Sequence, residues 1–351
     1  MFNKSFFKGK NIFITGHTGF KGSWLAYILQ SFGAKVTGYA LKPKNKYDNF
    51  YVLNLNKTIK NYYADIRDRK RLNLALKESR PHIIFHMAAQ ALVKNSYKKP
   101  YFTFSTNVVG TINILEELKN LNSLKSAVIV TSDKCYKNQE KINGYSEKDE
   151  IGGEDPYSAS KAAAENIFNS YLKSFYSNNK INFGLASARA GNVIGGGDWS
   201  EDRIVPDFIK SIWKNKKFII RSPNSTRPWQ HIFDLLNGYM LLSKKIFSNK
   251  KFNGSWNFGP EKKHIKVIEI INKLNKSMNI NKKTYLKKDK KIKETGLLSL
   301  KINKSKSILK WKPKLSIKET IKLTGEWYFL FLKDRKSVIK LSKKQVGFFF
   351  K

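Results

Sequence analysis

Along the first half of the chain, short apolar runs ending in glycine or small polar residues alternate with stretches of helical periodicity. Lys10–Thr15 (KNIFIT) reads as a buried strand closed by a glycine turn, and Phe20–Phe32 as a helix. Ala34–Ala40 (AKVTGYA) predicts a second strand, Ile59–Ile66 (IKNYYADI) a third, and the segment near Asp68–Glu78 a helix. Pro81–Ala88 (PHIIFHMA) follows as a fourth strand, with a long helix near Pro100–Lys119. Ser126–Thr131 makes a fifth strand. A helix opens at Asp155 and Pro156, which suit a cap and a first turn, and Ile181–Arg189 makes a sixth strand. Strands alternating with helices predict an α/β fold with a doubly wound parallel sheet. After Arg189 the pattern breaks into glycines, prolines and short elements. The expected division is a nucleotide-binding domain over 1–190 and a smaller mixed α/β substrate region over 191–331, interleaved with it at the cleft. The remaining 332–351 is a basic tail with three terminal phenylalanines, either a frayed extension or an added surface helix. There is no internal repeat.

At 351 residues the chain is long enough for a sizeable core. It has no run of about 18 apolar residues, so no membrane span is expected. The opening MFNKSFFKGKNIFITG enters a strand almost at once and lacks the apolar region and cleavage site of a signal peptide. A single cysteine, Cys135, excludes an internal disulfide and a cysteine metal cluster. A reducing cytoplasm is the expected setting. The formal net charge of +41 invites a nucleic-acid partner. However, the lysines are scattered, and Asn, Ile, Phe and Tyr, which share A/T-rich codons, are abundant too. Coding bias therefore accounts for the charge, and no specific nucleic-acid partner is expected. A positive field that attracts small anions remains as its physical consequence.

Candidate chemistry gathers at three places. In TGHTGFKGSW, Gly16, Gly19 and Gly22 lie between a strand and a helix. That context suits a dinucleotide pyrophosphate: a tight turn, close backbone approach, close packing, and a helix N-terminus facing the anion. The acidic residue expected at the end of the second strand is missing, since Leu41 and Lys42 stand there. The residues thus leave NAD and NADP open, with Asp65 and Ile66 able to contact adenine instead. In YSASK, Tyr157 and Lys161 lie one helical turn apart. An ammonium beside a phenol stabilises phenolate and makes tyrosine a usable base. The same spacing recurs at Tyr176 and Lys180, in an Asn-rich stretch expected to end the helix. In TSDKCY, Ser132, Asp133 and Lys134 put a hydroxyl, a carboxylate and an amine at the end of the fifth strand. His82 and His86 have a metal-like spacing, but with no third ligand they read as structural.

Together these residues resemble the extended short-chain dehydrogenase/reductase superfamily, through TGHTGFKG, HMAAQ (His86–Gln90), TNVVGT (Thr106–Thr111) and YSASK. Within it, VTSDKCY, GGEDPYSASKAAAE, SARAGNVIGGGDW, EDRIVPDFI, RPWQHIFDLL and GSWNFGP are similar to the CDP-glucose 4,6-dehydratases. The similar stretches run from Phe7 to Trp327 and leave the tail outside. The resemblance implies a modified Rossmann fold, NAD as cofactor and a homodimer through the helices near Pro100–Lys119 and Asp155–Phe175. It implies conversion of CDP-D-glucose to CDP-4-dehydro-6-deoxy-D-glucose and water. In that scheme Tyr157, aided by Lys161 and Ser132, takes the 4-hydroxyl proton during transient C4 oxidation. Asp133 is the acid and Lys134 the base of the C5–C6 elimination. Lys134 would act either as a neutral amine or as a cation stabilising an enolate. The implied cofactor site adds His17, Thr18, Phe20, Ala88, Ala89, Gln90, Asn107 and Thr131. The implied substrate site is Asn192 and Arg227 on the diphosphate, with Arg189, Arg203 and Arg221 as weaker candidates that could equally be surface charges, and His231 near Arg227 without an assigned role. The rivals are a 4-epimerase, which needs no elimination pair, and a catalytically idle nucleotide-binding protein.

Overall fold

The structure, a computed structural model, describes residues 4–43, 45–176, 182–261, 264–286 and 298–351. Its centre is a seven-stranded sheet, parallel throughout. In chain order the strands are β1 (Asn11–Thr15), β2 (Lys35–Ala40), β3 (Lys60–Tyr63), β4 (Ile83–His86), β5 (Ser126–Val130), β6 (Gly184–Ala190) and β7 (Gly254–Phe258). Their spatial order is β7-β6-β5-β4-β1-β2-β3. β4 and β6 are buried along their whole length, as expected of strands covered by helices on both faces. The order reverses between β1 and β4, and at such a point the carboxyl ends leave a crevice for ligands.

Three expectations change. The sheet does not stop at residue 190: β7 pairs in parallel with β6, and the helix Ile232–Ser248 crosses over to feed it. Residues past 191 therefore complete the sheet as well as the substrate region. β3 is shorter than IKNYYADI suggests. It is an edge strand with one neighbour and no fully buried residue, so Asp65 and Ile66 fall in the turn beyond it. The long helix near Pro100–Lys119 is broken into Pro100–Phe104, a wide π turn over Ser105–Val109, and Gly110–Leu118. Such π turns accommodate a residue whose side chain is needed elsewhere, here Asn107. Ile181 and Lys180 lie outside the described residues.

The tail is a packed helix, not a frayed end. Val338–Phe349 buries Val338, Val346 and Phe349, and Phe350 beyond it, and leaves its lysines outward. Phe350 meets Phe32 edge-on, and the Ser342 hydroxyl accepts the Trp327 indole N–H at 3.1 Å. Among the described residues no helix is long and apolar enough to cross a membrane.

Candidate active site

A cavity of about 840 Å³ runs along the carboxyl ends of the strands. At one end is the glycine turn. Gly16 has φ +74°, and a Cβ there would fall 2.7 Å from the Ala88 amide nitrogen. A Cβ on Gly22 would meet the Gly16 carbonyl oxygen at 2.2 Å, so only glycine lets the helix Phe20–Ser31 start this close to the turn. Gly19 caps that helix without a side-chain acceptor, which leaves its first N–H groups for an outside anion. Thr18, Gly19 and Phe20 line the cavity here, and Asp65 and Ile66 line it beyond β2. Asp65 is clamped by Arg67 at 2.7 Å, which holds its carboxyl below the usual range.

The next wall is set by buried hydrogen bonds. The Thr15 hydroxyl accepts from the Met87 and Ala88 amides at 3.0 and 3.1 Å. Its own hydrogen therefore goes to His86 Nδ1, 2.8 Å away. That assigns the ring hydrogen to Nε2, facing Thr111, and burial keeps this histidine neutral, with a pKa pushed down to about 3. Asn107 does not line the cavity. Its amide holds the Gln90 main chain from both sides and donates to Ser160, tying the Ala88–Ala89–Gln90 loop to the next helix. His17 also turns away: its ring packs beneath Gly38 and bonds Asn61 at 2.8 Å, with burial lowering its pKa to about 4. The side chain holds the turn to the sheet.

At the centre, Asp155 accepts from the Tyr157 and Ser158 amides and starts the helix Pro156–Tyr171. That start points Tyr157 and Lys161 into the cavity together. Opposite them, Ser132 donates to Asp133 at 2.9 Å and accepts from the Lys134 amide at 3.2 Å in a tight turn at the tip of β5. Burial raises the Asp133 carboxyl above its ordinary range, so it tends to keep its proton, while Lys134 and Lys21 pull the other way. The Asp133 carboxylate lies against Gly191, where a Cβ would come within 2.7 Å of it. The expected acidification of Tyr157 by Lys161 is not the leading influence. Burial raises the phenol, against the Ser132 hydroxyl, and drives the Lys161 ammonium down to about 8. Both groups lose water in the same place, and for each of them desolvation is the largest influence.

The far wall carries Asn192, Arg203, Arg221 and Arg227. Two other candidates fall elsewhere. His231 is buried and caps the helix Ile232–Ser248, accepting from the Phe233 amide at 3.2 Å. Arg189 is buried behind the site, bonding Glu165 at 2.6 Å and Tyr136 at 2.7 Å, while the Thr131 hydroxyl donates to the same Glu165. Tyr176 is turned into the helix Gly110–Leu118, where it donates to the Leu115 carbonyl, well away from the cavity.

Two charged groups that line the cavity escaped the sequence reading. Asp198, in GGGDW, is buried and faces Arg203 at 3.3 Å. Its loop is held by the helix Ile317–Lys333: Tyr328 donates to the Asp198 carbonyl, and Gly196 sits against Trp327. Lys21, inside the glycine turn, also lines the cavity. In so lysine-rich a chain its position between glycines was the only signal.

A family model described as GDP-mannose 4,6 dehydratase matches residues 13–324. The chain is similar to the CDP-glucose 4,6-dehydratase of Salmonella typhimurium, with 40% identity over 354 residues, 99% of this chain and 98% of that protein. This span includes the tail, which motif matching left outside. The fold is similar to UDP-glucose 4-epimerase of Thermotoga maritima, solved with UDP-glucose (TM-score 0.78, 24% identity, 91% of this chain and 98% of that one). It is also similar to dTDP-glucose 4,6-dehydratase of Bacillus anthracis, solved with NAD (TM-score 0.76, 22% identity, 94% of this chain and 100% of that one).

Proposed function

The chain belongs to the nucleotide-sugar 4,6-dehydratase family, and from that premise we propose that it is an NAD-dependent lyase. The reaction proposed is CDP-D-glucose to CDP-4-dehydro-6-deoxy-D-glucose and water. One observation carries the reading: an oxidation pair, Tyr157 and Lys161, and an elimination pair, Asp133 and Lys134, line a single cavity. A 4-epimerase, which the fold also accommodates, has no use for the second pair.

The glycine turn fits the diphosphate of NAD, because Gly16 and Gly22 leave backbone in reach and Gly19 leaves the helix N–H groups open. When bound, NAD supplies the redox chemistry at C4 and C6. Tyr157 takes the 4-hydroxyl proton, relayed through Ser132, and Lys161 favours the phenolate. The resulting 4-ketone acidifies C5–H. Lys134 removes that proton or holds the charge it leaves. Asp133, whose hold on its proton burial strengthens, gives a proton to the departing 6-hydroxyl. Arg203, Arg221, Arg227 and Asn192 hold the substrate diphosphate, arginine suiting this by its forked charge. The dimer belongs to the same reading. Tyr97, Tyr101, Phe104 and Phe175 stand exposed on and beside the helices that would pair two copies. A reducing cytoplasm completes it.

The test is to incubate the protein with NAD and each of CDP-, dTDP-, UDP- and GDP-hexose. Water loss to a 4-keto-6-deoxy sugar from the CDP compound supports the reading. A C4 epimer as the sole product, or no turnover of any, overturns it. Light scattering on the same protein reads the dimer, and a monomer at micromolar concentration refutes that part.

A further inference from the structure

Arg203 lines the main cavity from the last position before the helix Ile204–Trp213. Asp202, just before it, sits at φ +56° and pairs with Lys94, which lines the same cavity 108 residues earlier in the chain. The Arg203 side chain is held by Asp198, whose Oδ2 lies 3.3 Å from Nη1. That bond takes one nitrogen of the guanidinium. The rest of the fork stays free for a ligand, and the side chain is 34% exposed. Asp198 itself is buried, at 3% exposure, in a loop fixed on every side. Its Oδ1 accepts from the Ser200 amide at 3.0 Å and the Ser200 hydroxyl at 2.6 Å. Its carbonyl accepts from the Tyr328 hydroxyl at 2.7 Å. The Trp24 indole N–H donates to the Gly196 carbonyl at 2.8 Å, and Gly197, at φ +84°, leaves no room for a Cβ beside Asn49.

The loop therefore has its shape without the Arg203 pair. Oδ1 and the carbonyl serve the loop, whereas Oδ2 serves Arg203. A loop that needed only an acceptor for Ser200 would do as well with asparagine, which carries no buried charge to desolvate. The charge on Asp198 is accounted for by what it does to the guanidinium: it fixes one edge of the fork and turns the other edge to the cavity. We propose that Asp198 is a positioning residue for substrate binding, aiming Arg203 at the substrate diphosphate from a loop whose place is set by Tyr328 of the helix Ile317–Lys333. The assignment rests on the dehydratase reading of the cavity.

The experiment is a double-mutant cycle on Asp198→Asn and Arg203→Met. Asp198→Asn keeps the acceptor for Ser200 and removes the charge facing Arg203. Each variant is titrated with CDP and with NAD by calorimetry, and KM and kcat are measured with CDP-glucose. In Asp198→Asn the Kd for CDP and the KM for CDP-glucose rise about tenfold, the worth of one charge-assisted contact, with kcat and the Kd for NAD close to wild type. In the Arg203→Met background the same substitution adds no further rise, because Asp198 acts through that guanidinium. A residue that merely shaped the loop would raise KM equally in both backgrounds. If Asp198→Asn yields no folded protein, Tyr328→Phe reads the same cycle: it keeps the ring, frees the Asp198 carbonyl, and raises KM about two- to threefold, an effect that vanishes in Arg203→Met. An additive cycle, an unchanged Kd for CDP, or a loss confined to kcat overturns the proposal. If wild type itself neither binds CDP nor turns over CDP-glucose, the dehydratase reading falls, and this assignment with it; an additive cycle in an active enzyme removes the assignment alone.

Discussion

Gly191→Ala adds one methyl group to the molecule and aims it at a single carboxylate. The new Cβ falls 2.7 Å from Asp133 Oδ2, whereas ordinary contact begins at 3.4 Å, so the carboxylate has to retreat by the difference, about 0.7 Å. The backbone is not the obstacle, because Gly191 is not among the residues at positive φ. Nor does Asp133 have anywhere to go: it is buried, and its other oxygen accepts from Ser132 at 2.9 Å. The retreat must rotate the carboxyl, break that bond, or withdraw the acid from the cavity. Misplacing a catalytic group by about 1 Å costs on the order of a hundredfold in rate, or roughly 2.7 kcal/mol of barrier. The loss falls on elimination, where Asp133 acts, and not on C4 oxidation, where Tyr157 acts. In a stopped-flow assay with CDP-glucose, near-ultraviolet absorbance of reduced cofactor therefore builds up and decays slowly. Formation of water slows, and the thermal midpoint drops by the few degrees that about 1 kcal/mol of overpacking costs. Gly347→Ala is the control, since a Cβ there meets nothing within 4 Å. Wild-type turnover in Gly191→Ala, or a loss with no build-up of reduced cofactor, refutes the assignment of Asp133 to elimination.

Other perturbations read other parts of the site. In Lys134→Met, C4 oxidation survives while solvent deuterium enters C5 about a hundredfold to a thousandfold more slowly; exchange at the wild-type rate makes Lys134 a bystander. Glu165→Ala strands the Arg189 guanidinium in the interior and costs about 3–5 kcal/mol in chemical denaturation, so an unchanged midpoint contradicts the buried pair. Arg227→Ala weakens CDP-glucose more than NAD by calorimetry, and equal losses place Arg227 outside the substrate site. Lys161 has a folded pKa near 8 against 10.5 ordinarily, so between those pH values the unfolded chain binds more protons and stability rises with pH. The penalty is fully present below pH 8. Lys161→Met, which lacks it, melts above wild type at neutral pH, and the gap narrows toward pH 10.5; a constant gap refutes the shift.

What was legible in the sequence was whatever local pattern decides. Strand and helix alternation, the glycine turn and the Tyr157–Lys161 spacing are all short-range signals, and each element they predict is present within a few residues. The seventh strand was not legible as part of the sheet. GSWNF has nothing in its own pattern that says it will pair with β6 across more than sixty residues of chain. The tail failed for the opposite reason. Its lysines dominate the composition, but Val338, Ser342, Gln345, Val346 and Phe349 fall on one face, and that face is buried.

The site divides along the same line. Motifs marked the residues on strand tips and in first helical turns, because those places put side chains at the carboxyl edge whatever the rest of the chain does. Motifs could not say which way a side chain in such a place turns. His17 lies in the glycine turn and His231 beside Arg227, yet each ring turns inward: one serves β2 and β3, the other a helix N-terminus. Lys21 sits four residues from His17 and turns the other way, because helix geometry carries its chain toward the turn while Gly38 makes room for the histidine ring. Excess lysine hides such a residue in the sequence, and only its place in the cavity wall sets it apart in the structure.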